Sequence, residues 1–182
     1  MTWTSFHRRG DVLRAVIAVA DQRRDGRLPR DVDGVPATFA DDHDLLGALQ
    51  LKWHTRLAGW IEREQMAQPM DLEAAVVRAW QQTADELPGV RAILDEQRAR
   101  PADEATAEIM RKSAAKEHVL LAVMAGLASA HDARAAAVGA RIEDEAKAAR
   151  PSYDDVLEGL LDEGEHSARP TLLGRLKAAL AA

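Results

Sequence analysis

Cysteine is absent from this chain of 182 residues. That removes disulfides, thiolate zinc sites, iron–sulfur clusters and cysteine nucleophiles at once. Long apolar runs are missing too. The least polar stretch, 119–130, is well short of the roughly 20 residues a membrane span requires. Trp3, Phe6, His7 and Arg8 follow Met1 closely, with no apolar core of a signal peptide, so a cytoplasmic protein without a membrane role is expected. Strand-like alternation is lacking, as are the Gly-x-Ser-x-Gly, Gly-x-x-x-x-Gly-Lys and Gly-x-Gly-x-x-Gly turns of nucleophilic and phosphate-handling sites. An enzyme is therefore the less favoured reading, and no cofactor is expected.

Excess positive charge is lacking as well. The net charge is −6, with 30% of residues charged, which suits a dissolved globular surface and not a general nucleic-acid binder. The arginines Arg8, Arg9, Arg14, Arg23, Arg24, Arg27 and Arg30 make the first thirty residues basic. Asp11, Asp21 and Asp25 interrupt them, and no helix-turn-helix spacing follows, so they read as a solvated face.

What remains is helical periodicity. Apolar residues at three- and four-residue spacing predict an all-α chain, an antiparallel bundle of five to six helices with a short C-terminal amphipathic helix. The expected helices cover 5–24, 39–65, 71–87 with a kink or a new start at Leu87-Pro88-Gly89 and on to 98, 103–128, and 132–150 behind an Asp132 cap. An ordered crossing loop over 27–37 joins the first two. Trp53, Trp60, Trp80, Leu46, Leu49, Leu120 and Val123 are the predicted core. The last helix is mostly alanine beside Val138 and Ile142, and its narrow apolar face suggests an outer, late-docking element. Three segments follow from this pattern: a bundle domain over 1–150, an acidic connector containing glycine and proline over 151–170, and the terminal helix over 171–182.

Two groups could carry chemistry inside the bundle. His43 and His54 lie on one edge of the second long helix, and Glu117-His118 sits mid-helix further on. Facing one another, they would form a His/Glu metal site, although the Glu-x-x-His spacing of di-metal bundles occurs only at Glu163–His166. Boundary histidines bonded to backbone or water are the commoner outcome. Trp53, Trp60 and Trp80 could line a pocket for a flat ligand. A tryptophan stripe at helical spacing is more often the filler of a core rich in alanine and valine.

The end of the chain is more distinctive. Asp154, Asp155, Glu158, Asp162, Glu163 and Glu165 crowd 153–165 with no base among them, yet Val156, Leu157, Leu160 and Leu161 keep helical spacing. Beyond Pro170, Leu173, Leu176 and Leu180 fall at i, i+3 and i+7 with Leu172 beside them, and from 169 to 182 Arg169, Arg175 and Lys177 are the only charged side chains. Twelve residues make a marginal helix alone, so this face must be covered by its own bundle, by a second copy or by another protein. A bundle ending in a short peptide resembles, in layout only, the cargo proteins of bacterial nanocompartments. Leu173-Gly174-Arg175-Leu176 stands where their docking peptides show Gly-Ser-Leu. The expected function is protein association through Leu172, Leu173, Leu176 and Leu180; a bundle binding metal or a small ligand is the alternative.

Overall fold

The computed structural model describes residues 3–149, with side chains from Arg8 onward. The terminal leucines Leu172, Leu173, Leu176 and Leu180 lie outside the described residues. The chain divides into Met1–Lys147 and Ala148–Ala182.

Seven helices make up the described residues: α1 Trp3–Arg23, α2 Val35–Thr38, α3 Asp42–Ala67, α4 Leu72–Glu86, α5 Pro88–Ala99, α6 Glu104–Met124 and α7 Ala135–Ala148. Strands are absent among them, and the protein is all-α. Local chemistry sets the boundaries. Asp41, Asp71 and Asp103 each accept a hydrogen bond from the backbone N–H three residues on, capping α3, α4 and α6. Leu87 serves both as the C-cap of α4 and as the N-cap of α5, whose first residue is Pro88. Proline loses nothing at a first turn, so the break becomes a new helix instead of a kink. At the other end of α6, Leu127 N–H bonds to Ala122 O and Gly126 N–H to Val123 O, both at 3.0 Å. That pattern needs a left-handed residue, and Gly126 supplies it with φ 71°. The expected crossing loop holds one unforeseen turn, α2, because Pro36 presets helical φ after Gly34.

α3 packs along α4, and α1 along α5, which also meets α6. The centre is an edge-to-face pair, Trp53 and Trp80, with ring centroids 5.8 Å apart and planes at 73°. Leu57, Ile61, Val76, Ile93, Leu94, Leu121 and Ile142 are fully buried in the same core. Trp53, Trp80, Leu46 and Leu49 are buried as the periodicity predicts.

Three predicted core positions are corrected. Trp60, Leu120 and Val123 are only half-buried. On α6 the inner stripe is instead Thr106, Met110, Glu117 and Leu121, with Ala122 alongside. The helix is turned so that Glu117 points inward, a choice that hydrophobic periodicity alone does not make. The last helix is not an outer element either. Ala135, Ile142 and Ala146 are completely buried, and α7 approaches α6 so closely that a Cβ on Gly139 would come within 1.8 Å of His118 O. Small side chains mark close helix contact here.

Candidate functional site

The interior of the bundle holds an unusual set of charges. Glu117 is 1% exposed and Arg91 4%. Each is drawn inward by partners on other helices. Trp53 and His54 come from α3, Arg91, Asp95 and Arg98 from α5, Glu117 and His118 from α6, and Glu143 and Lys147 from α7.

Glu117 is the hub. Its Oε1 accepts from Trp53 Nε1 at 3.1 Å, and its Oε2 accepts from Arg98 Nη2 at 2.9 Å. His54 Nε2 lies 3.2 Å from the same Oε2, and Arg91 Nη1 3.7 Å from Oε1. Arg98 then reaches across to Glu143 with Nη1, at 2.9 Å. Glu143 also takes His118 Nε2 at 2.6 Å and Lys147 Nζ at 2.9 Å. Asp95 accepts from the guanidinium of Arg91 through both oxygens, at 2.9 and 3.0 Å. Arg91 in turn stacks 4.7 Å above the ring of Trp53. Three cationic side chains and three carboxylates thus neutralise one another across α5, α6 and α7, with two histidines at the edges.

Glu117 and Glu143 stay ionised in this setting. Burial alone pushes the pKa of Glu117 up, but the His54 hydrogen bond and the charges of Arg91 and Arg98 outweigh it, and the repulsion from Glu143, and hold it at about 2. Glu143 is likewise penalised by burial and held well below the ordinary carboxylate range by His118, Arg98 and Lys147. Because both acids are acceptors only, the ring nitrogens facing them carry the protons. In both histidines that nitrogen is Nε2.

The four residues expected at a metal site are separated by this arrangement. His54 and Glu117 do meet, but His118 turns to Glu143, and His43 sits apart with Thr106 Oγ1 at 3.0 Å and Asp103 at 3.5 Å. Among the described residues no three histidine or carboxylate side chains converge as a metal ion would require. The lone pairs of Glu117 face guanidinium, imidazole and indole N–H groups. Of the tryptophans, Trp53 and Trp80 fill the core, while Trp60 stacks against Arg63 and donates to Glu86 at 2.9 Å.

Arg91, Arg98, Glu143 and Lys147 have no counterpart in the sequence reading. A signal for them exists. Arg91 interrupts the buried run Val90, Ile93 and Leu94, and Glu117 occupies the core position between Met110 and Leu121. A charge on an otherwise apolar stripe needs a partner on another helix.

Two surface features complete the inventory. A groove of about 520 Å³ runs between α1 and α3, lined by Arg9, Gly10 and Leu13 on one side and by α3 from His43 to Thr55 on the other. Leu51, on its wall, is 67% exposed. Sharing His43 with it is a polar cleft of about 760 Å³ beneath the loop at Gly26–Arg30 and the first turns of α3 and α6. Neither is lined by a tryptophan.

No protein-family model, curated protein or solved structure matches this chain.

Proposed function

We propose that this chain is a self-associating helical module, its contact face formed by Leu172, Leu173, Leu176 and Leu180. The observation that carries the reading is the terminal pattern itself. Four leucines share one helical face within twelve residues, accompanied by Arg175 and Lys177 and by no acid. A segment this short gains its order from whatever covers that face. The interior of the bundle supports the same reading, because its buried charges are engaged with one another and form a clamp between helices. An open apolar groove on the same chain offers a surface of matching chemistry.

Light scattering on the full-length protein across a concentration series tests this. Wild type is expected to form dimers or larger assemblies, and Leu173→Glu with Leu176→Glu to leave a monomer whose helical circular dichroism falls by no more than the terminal twelve residues contribute. A wild type that stays monomeric at every concentration would overturn the proposal.

A further inference from the structure

We infer that the groove between α1 and α3 receives residues 171–182 of a second copy; this rests on the self-association reading above. The first argument is length. The groove follows α3 from His43 to Thr55, twelve steps, or about 18 Å at a helical rise of about 1.5 Å per residue. Twelve residues wound as a helix have the same length.

The floor is the second argument. Along α3 the residues that line the groove fall at four-residue intervals, His43, Gly47, Leu51 and Thr55, one stripe of the helix surface. A Cβ added at Gly47 would meet nothing within 4 Å, and one at Gly10 would meet only the end of Arg14, at 3.7 Å. Glycine on both walls lets another helix backbone approach closely, while Leu13, Ala48 and Leu51 supply the apolar contact. Leu173, Leu176 and Leu180 present the complementary stripe.

Charge is the third. His43 also lines the second cleft, which sets Asp41, Asp42, Glu96 and Asp103 against Arg27 and Arg30, with Asp42 paired to Arg30 and Glu96 to Arg100. Four carboxylates against three guanidiniums leave a net negative edge that favours a cationic neighbour. The occupant carries Arg175 and Lys177, with Arg169 just before it. Within the groove, Arg9 is already neutralised by Asp44 at 2.6 Å, which leaves Lys52 as the like charge to avoid. The end of the segment nearer Arg169 and Arg175 therefore lies toward the cleft and Leu180 toward Thr55. Each copy offers one groove and one segment, so reciprocal exchange closes as a dimer.

Gly47→Gln in the full-length chain is the test, with Gly59→Gln as its control. Both glycines are exposed on α3 with nothing near a new Cβ, so both variants should keep wild-type helical circular dichroism. Gly47→Gln fills the groove, and its dimer should dissociate at a concentration at least about tenfold higher by light scattering, a shift of about 1.4 kcal/mol. Gly59→Gln should associate as wild type does. If Gly47→Gln associates like wild type while the Leu173→Glu, Leu176→Glu chain does not, the groove assignment fails and self-association stands. If wild type is monomeric throughout, both fail.

Discussion

Trp53 and Glu117, 64 positions apart in the chain, meet at 3.1 Å inside the bundle, the indole N–H donating to the carboxylate. The contact joins a core aromatic to a core charge. It places Glu117 where Arg91, Arg98 and His54 also reach it, so four side chains from two other helices depend on one acid.

Removing that acid is expected to be costly. Glu117→Ala leaves two guanidiniums facing each other in the interior, and breaking a buried ion pair from one side costs about 3–5 kcal/mol. Glu117→Gln keeps the shape and an acceptor but not the charge, and should cost less. Urea denaturation followed by circular dichroism checks both. Equal stability of Glu117→Ala and wild type would show that the cluster contributes nothing to the fold.

Acid should loosen the bundle in a defined window. Glu117 drops from the ordinary 4.5 to about 2 on folding, so the unfolded chain binds a proton that the folded chain refuses. The stabilisation is complete above about 4.5 and is lost as pH falls toward 2, on the order of 3 kcal/mol. Glu143 shifts in the same direction and steepens the fall. Thermal melts between pH 6 and pH 2 should show it. In Glu117→Gln the slope over this window should be shallower than in wild type.

The two core tryptophans should respond differently to removal of the indole N–H. Trp53 Nε1 donates to Glu117, whereas Trp80 Nε1 is buried and has no protein partner. Trp53→Phe strips a hydrogen bond from a buried carboxylate, which costs about 1.5–3 kcal/mol beyond the lost volume. Trp80→Phe loses packing alone. The difference between their unfolding free energies isolates the bond, and a larger loss in Trp80→Phe would reverse the assignment.

Gly139→Ala should destabilise strongly for a single methyl group. The new Cβ would fall within 1.8 Å of His118 O and 2.3 Å of its carbonyl carbon, so α7 must move off α6. Such overpacking costs about 1–3 kcal/mol, and here the shift also pulls Glu143 from His118. Gly59→Ala, in open space on α3, should instead stabilise by up to about 1 kcal/mol.

Most of the helices were legible in the order of residues. Asp71 and Asp103 at helix starts and Pro88 at a break act through neighbours a few residues away, whereas the stop at Gly126 and the cap at Asp41 shorten helices that periodicity alone carries further. The face of α6 was not. Leu120 and Val123 fit an apolar stripe as well as Met110 and Leu121 do, and only the presence of Arg91, Arg98 and Trp53 opposite makes it favourable to turn Glu117 inward. His54 and Glu117 were picked out for each other, but the partners that give them their setting come from α5 and α7. His43 and His118, chosen with them, belong to Asp103 and Glu143.

By itself the sequence determined the all-α class, the approximate places of the long helices and the apolar composition of the core, because caps, breakers and periodicity are local properties of the chain. Tertiary structure alone decided which charges lie inside. A buried carboxylate is tolerable only when cations and N–H donors converge on it from separate helices, and that convergence exists only once α3, α5, α6 and α7 have packed.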